Sequence, residues 1–146
     1  MAWKGKFTPK NPKKYAGDPT KIIYRSSLEL TLMKTFDEHP DIIKWASEEV
    51  IVPYRCPTDN KMHRYFPDFV IQKKAPDGTT KTVMIEVKPY AQTKEPKPPK
   101  RRTRRYLNEV LTWGKNSAKW AAAEEYCADR NWEFKILTEK EIRGYK

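Results

Sequence analysis

Residues 66–88 constrain this chain more than any other stretch. Phe66-Pro67-Asp68-Phe69-Val70 opens one apolar segment, Thr80 to Lys88 forms another, and Asp77-Gly78 stands between them. Asp-Gly between two strand-like runs is a strong hairpin signal. We therefore read strands over Arg64 to Gln72 and Thr80 to Lys88, with an earlier one over Val50 to Tyr54. Pro53 marks that first strand as an edge or a strand end. Side chains alternate along a strand, so Glu86 and Lys88 share one face while Ile85 and Val87 share the other. A carboxylate and an ammonium on a mostly apolar strand are costly unless paired or set in a cleft. Stability alone does not call for them there.

The flanking segments supply helices. Ser26-Ser27-Leu28-Glu29 fits a capping box, and Leu28, Leu32 and Phe36 recur every four residues as a core-facing stripe. His39-Pro40 ends that helix, because the residue before proline avoids helical backbone. Residues 89–102 contain Pro89, Pro96, Pro98 and Pro99, which predicts an extended loop without helix. One long helix, or a pair broken near Gly114, then covers Thr103 to Arg130. Leu107, Val110 and Leu111 mark its first apolar face, and Trp120, Ala123 and Cys127 continue one after the glycine. Trp113 and Trp120 are also expected to face the core. Trp132 to Leu137 is a last strand, and a short helix closes the chain. The order is α-β-β-β-α-β. It predicts an α/β fold with a mixed four-stranded sheet and helices packed on it.

Charge is concentrated. Residues 1–21 carry Lys4, Lys6, Lys10, Lys13, Lys14 and Lys21 against Asp18, and residues 94–105 carry Lys94, Lys97, Lys100, Arg101, Arg102, Arg104 and Arg105 against Glu95. These two segments account for the whole net charge of +11. Such patches on a neutral body suit a polyanion, since binding releases counterions from phosphates. A solvated basic tail is the simpler alternative. Residues 1–21 lack periodicity and read as an arm that orders on a partner, ahead of a domain over 22–146. Trp3, in that arm, is a candidate for stacking on bases. No apolar run reaches the ~20 residues of a membrane helix, and no secretion signal is evident. Cys56 and Cys127 form no C-x-x-C pair, which fits a reducing compartment.

Asp68 and Glu86 lie 18 residues apart on the two strands of the hairpin. Hard Mg²⁺ takes oxygen ligands, often one or two carboxylates completed by water and phosphate. Asp68 and Glu86 are the candidate ligands, with the Val87 carbonyl as a third, and Mn²⁺ able to substitute. Lys88 would orient the attacking water or stabilise the developing oxyanion. Either motif alone is ordinary: Pro-Asp is a common turn dipeptide, and Glu-Val-Lys can be an exposed strand with a salt bridge. Adjacent predicted strands followed by a basic loop make the active-site reading the stronger one.

At these residues the chain resembles the PD-(D/E)-x-K nuclease superfamily, as Pro67-Asp68 … Glu86-Val87-Lys88. Its TnsA-like subgroup is the most similar, with Phe66-Pro67-Asp68-Phe69 before a hairpin and Phe134-Lys135-Ile136-Leu137-Thr138-Glu139 at the end. The resemblance implies a restriction-endonuclease-like core and a catalytic glutamate from the first helix, the place that Glu29 holds. Glu29 could equally be only the capping-box glutamate. Trp3-Lys4-Gly5-Lys6, Gly17-Asp18-Pro19, Tyr24-Arg25-Ser26 and Ile85-Glu86-Val87-Lys88-Pro89 are similar to the head-completion nucleases of T4-like tailed phages. That similarity implies trimming of packaged double-stranded DNA before tail joining, contact with portal or neck proteins, and work in the host cytoplasm, extending to retention in the virion. A structural adaptor with a vestigial site and a mobile-element or repair endonuclease are the competing readings.

Other constellations are weak. A Cys56/His63/Cys127 zinc site has spacing unlike a finger, and His63 reads as a surface residue or a phosphate contact. No G-x-x-x-x-G-K is present, so no nucleotide cofactor is expected.

Overall fold

A computed structural model describes residues 4–144. Trp3, the candidate for stacking on bases, lies outside them. The first helix, α1 (Ser27–Glu38), starts where the cap predicts. The Ser26 Oγ accepts the Glu29 N–H at 3.1 Å. Leu32, Met33 and Phe36 are buried, and Phe36 meets Phe69 edge-on at 5.2 Å between ring centroids. His39 is extended and ends the helix.

A strand absent from the sequence reading follows. It is β3 (Ile42–Ser47), the outer strand of the main sheet beside β6 (Phe69–Lys74). A register shift between Ile42 and Lys44 breaks its alternation, leaving Ile43 and Lys44 exposed and Trp45 and Ala46 both buried. A bulge of this kind hides a strand from a period-two search. β6 pairs antiparallel with β7 (Thr80–Val87), which pairs parallel with β8 (Glu133–Leu137). The sheet is therefore mixed and four-stranded, in the order β3-β6-β7-β8.

Two of the predicted strands need correction. Val52–Cys56 (β4) does not join the main sheet but pairs with Lys61–Tyr65 (β5) as a separate hairpin. The run Arg64 to Gln72 is cut between Tyr65 and Phe69, where Pro67 has no N–H to give a ladder. The β6–β7 hairpin forms at Asp77-Gly78 as expected, with Gly78 at φ +87° and the Thr79 N–H on Asp77 Oδ1 at 3.0 Å.

After β7 comes a short 3-10 turn at Tyr90–Thr93, inside the loop expected to hold no helix. The following helix α2 (Arg104–Asp129) runs unbroken through Gly114. Its second half packs as predicted, with Trp120, Ala123 and Cys127 buried. Its first half does not: Leu107, Val110 and Leu111 are 49%, 40% and 52% exposed. The helix projects past the sheet there and finds no partner layer among the described residues. α3 (Glu139–Gly144) closes the described chain.

The sheet carries one core on each face. Val83 and Ile85 face α1, with Trp45, Phe69 and Ile142. Met84 faces α2 and the β4–β5 hairpin, with Tyr54, Tyr65, Ala123 and Cys127. β7 is thus covered on both sides, and Glu86 is buried with it at 4% exposure.

From Gly5 onward, the segment expected to order only on a partner is folded onto the body. Strand β1 (Gly5–Lys6) pairs with β2 (Ile23–Tyr24), and Phe7, Tyr15 and Ile22 are buried in the first core. Tyr15 stands edge-on to Trp45, with centroids 4.7 Å apart. Buried Asp37 fastens the segment, accepting the Lys10 N–H at 2.7 Å and the Asn11 N–H at 3.0 Å.

Candidate active site

The break at Pro67 positions Asp68. Strand pairing starts at Phe69↔Ile85, so the Val87 N–H lies beyond the ladder. The Asp68 Oδ2 accepts it at 2.7 Å. From the other side, the Asp68 carbonyl accepts the Glu48 N–H at 3.1 Å. These two bonds hold the carboxylate beside the Glu86-Val87-Lys88 segment.

Glu86 faces it from β7. The Trp120 Nε1–H of α2 points at Glu86 Oε2 at 3.5 Å. The two carboxyl groups feel each other strongly. Burial, then the Glu86 charge, pushes the Asp68 carboxyl up to about 9, with the Val87 N–H working in the opposite direction. Tyr65, the last residue of β5, brings its buried hydroxyl to the same carboxylate without a well-aligned hydrogen bond. Burial and the Glu86 charge push that phenol up as well.

Glu29 is half-buried at the start of α1. Burial raises its carboxyl, the Arg25 N–H opposes this, and its charge reaches Asp68. The Ser26 Oγ–H also points to it at 3.4 Å. Glu29 therefore has its backbone in the cap and its carboxylate near Asp68, so the two sequence readings are geometrically compatible. Lys88 lies one residue past the end of β7 and is half-buried, and its backbone N–H donates to the Leu137 carbonyl at 3.0 Å. Its side chain forms no salt bridge among the described residues.

Sequence reasoning missed four neighbours of this group. Glu48 follows β3 and adopts φ +54°, unusual for a non-glycine residue. Arg25 pairs with it, Nη2 to Oε2, at 3.2 Å, and Glu48, Glu29 and Asp68 together raise the arginine. With β3 unrecognised, Glu48 had no element to place it. Trp120 reads from the sequence as a core aromatic and Tyr65 simply as a strand residue, and only the third dimension aims their polar atoms at Glu86.

The donor set fits a hard divalent cation. The buried Glu86 and half-buried Asp68 carboxylates face each other, with further carboxylates at Glu29 and Glu48, and the nearby donors are oxygens. Without a counter-cation, such a pair relieves repulsion by holding a proton on Asp68.

The expected DNA contacts lie on the surface. Lys94, Lys97, Lys100, Arg101, Arg102, Arg104 and Arg105 are all exposed. The loop is anchored at its start, where the Tyr90 N–H meets the Glu139 carboxylate at 3.1 Å and Lys140 Nζ lies 3.4 Å from the centre of the Tyr90 ring. Between this loop and α2 runs a groove of about 1000 Å³, lined by Lys94, Lys97, Arg104 and Arg105 and reaching Trp113 and Asn116. No acidic residue occupies the first turn of α2. Its arginines therefore add to the positive helix end, an arrangement suited to phosphate.

Residues 39–139 match the family of TnsA-like endonuclease N-terminal domains. The chain is also similar to the head completion nuclease of Enterobacteria phage T4, at 40% identity over 152 residues, spanning 100% of this chain and 99% of that relative. The chain belongs to the TnsA-like endonuclease family, and its mixed four-stranded sheet is the restriction-endonuclease-like core of a nuclease.

Proposed function

We propose that this TnsA-like nuclease is a Mg²⁺-dependent deoxyribonuclease acting late in phage head completion, trimming packaged DNA so that head and tail can join. The observation that carries the chemistry is the approach of the Asp68 carboxylate to Glu86 and to the Val87 N–H. The assembly role rests on similarity along the full chain to a head completion nuclease.

Asp68 and Glu86 would hold the metal. The Val87 carbonyl supports a third contact, because a strand residue presents its N–H and C=O to the same edge, and the Val87 N–H already faces Asp68. Bound there, Mg²⁺ supplies Lewis-acid polarisation of the scissile phosphate and a more acidic water. Lys88 orients the attacking water and stabilises charge growing on the phosphoryl oxygens. Glu29 holds an outer-shell water or a second cation, with Arg25 and Glu48 fixing its surroundings. The Trp120 N–H and the Tyr65 hydroxyl set the orientation of Glu86. Lys94 to Arg105 grip the DNA backbone, so cleavage is largely independent of base sequence. Mn²⁺ satisfies the same oxygen donors and substitutes.

Plasmid nicking with Mg²⁺ tests the reading, comparing wild type with folded Asp68→Ala and Lys88→Ala. Wild type nicks and both variants fail; equal nicking by all three would overturn it. The exposed Leu107, Val110 and Leu111 stripe favours a second role, contact with a portal or neck protein. Complementation of a phage lacking the protein with folded Glu86→Ala separates the roles. Restored head–tail joining would assign the biological function to the adaptor surface and not to cleavage.

A further inference from the structure

The tip of the β4–β5 hairpin gathers a second, chemically different donor set. Cys56 ends β4 and Lys61 begins β5, and the turn between them is closed by the Asn60 N–H on the Cys56 carbonyl at 2.7 Å, with Asn60 at φ +57°. His63 pairs across the hairpin with Tyr54, so it shares a face with Tyr54 and with Cys56, two residues further along β4. Asp59 folds over that face from the turn. The Cys56 Sγ, an Asp59 carboxylate oxygen and a His63 ring nitrogen all lie within 4.8 Å of one another.

We propose that Cys56, Asp59 and His63 form a Zn²⁺ site that clamps this hairpin, with a water in the fourth position. Sulfur, imidazole and carboxylate together suit borderline-soft Zn²⁺ and not Mg²⁺. Neighbouring groups already orient each ligand. The Asp59 Oδ1 is held by the Lys61 N–H at 3.0 Å, which leaves Oδ2 towards His63 Nε2 at 2.7 Å. The Thr58 hydroxyl stands 3.1 Å from Cys56 Sγ, and the N–H groups of Thr58 and Asp59 also point at the sulfur. Converging N–H donors favour a thiolate, the form that binds metal. A histidine–aspartate pair alone would explain neither the thiol nor the donors around it. Edges of a tetrahedral zinc site with these ligands measure about 3.3–3.6 Å. Closure therefore needs only a small parting of His63 from Asp59 and an approach of the sulfur.

Cys127, the other cysteine, belongs elsewhere: its Sγ–H faces Met84 Sδ at 3.7 Å. Aspartate is the ligand type that a search for Cys and His spacing overlooks. The consequence reaches the active site, because β5 runs from this tip to Tyr65, against Glu86. A clamped hairpin would hold that hydroxyl in place. The proposal does not depend on the nuclease reading, since the two donor sets share no residue.

The test uses full-length protein without a polyhistidine tag, exposed to Zn²⁺ and then passed through metal-free buffer. Metal content is measured by mass spectrometry, and Co²⁺ replaces Zn²⁺ for absorption spectra. Wild type and Glu86→Ala should retain stoichiometric Zn²⁺ and show a thiolate-to-cobalt band. Asp59→Asn and His63→Ala, both at exposed positions, should lose affinity by more than the about 10–100-fold typical of changes around a metal site. Cys56→Ser should abolish the thiolate band; if it fails to fold, the two exposed variants decide alone. Absence of Zn²⁺ from wild type, or retention unchanged in Asp59→Asn and His63→Ala, would overturn the proposal.

Discussion

The Asp68 carboxylate accepts the Val87 N–H at 2.7 Å, just beyond the last paired residues of β6 and β7, Phe69 and Ile85. A side chain thus takes over where the backbone ladder stops. The broken ladder is what turns the half-buried Asp68 towards Glu86, and it has a thermodynamic signature.

Asp68 carries a pKa raised from 3.8 to about 9 by burial and by Glu86. A raised carboxyl binds its proton more tightly in the folded state than in the unfolded one. Its stabilising contribution is complete below about pH 4 and is lost as pH rises through about 9, with a slope of at most about 1.4 kcal/mol per pH unit. Asp68→Asn removes this slope. In urea unfolding with EDTA, the variant should gain on wild type as pH rises from about 5 to about 8.5. Parallel pH profiles would show that the two carboxyls do not interact as described.

Lys88→Ala should leave divalent-cation affinity near wild type, since its ammonium is not a ligand. Cleavage should fall about 10²–10³-fold, the usual cost of removing one donor to developing charge. Single-turnover cleavage together with cation titration separates the two effects. A loss confined to cation affinity would contradict the role given to Lys88.

Trp120→Phe keeps the ring and removes the N–H that faces Glu86 at 3.5 Å. At that length the bond lies near the low end of the about 1.5–3 kcal/mol for hydrogen bonds to charged groups. The turnover rate should drop about tenfold while KM for DNA stays constant. Unchanged turnover would make Trp120 a packing residue only.

Asp37→Ala frees the Lys10 and Asn11 N–H groups. Hydrogen bonds to a charged group contribute about 1.5–3 kcal/mol. The expected outcome is a lower unfolding temperature and early proteolysis within residues 5–22, with nicking at mild temperature retained. Resistance equal to wild type would show that Phe7, Tyr15 and Ile22 alone fasten the segment.

Neutralising Arg101, Arg102, Arg104 and Arg105 together should flatten the salt dependence of DNA binding by about one unit of log–log slope for each phosphate that is no longer neutralised. Fluorescence anisotropy at several salt concentrations reads this directly. An unchanged slope would move the grip away from the loop and the α2 N-terminus.

The parts legible in the sequence are those fixed by local rules. Ser26 announces α1, Asp77-Gly78 announces the β6–β7 hairpin, and alternation along β7 separates Glu86 from Ile85 and Val87. From these came the pairing of Asp68 with Glu86. What stayed hidden depends on distant partners or broken periods. The bulge after Ile42 masked β3, and with it Glu48. Phe7, Tyr15 and Ile22 are too widely spaced to show a period, and Asp37 joins their segment to the body across 26 and 27 residues. Leu107, Val110 and Leu111 follow a correct helical period but emerge into solvent, because periodicity marks a stripe without saying what covers it.

The central claim is that Asp68 and Glu86 share one divalent cation. Anomalous diffraction from Mn²⁺-soaked crystals tests it most directly, because it locates the ion. The expected result is a peak between the two carboxylates, within reach of the Val87 carbonyl and with Lys88 alongside, absent from Asp68→Asn crystals. Ordered carboxylates with no peak between them, at Mn²⁺ concentrations that support cleavage, would contradict it.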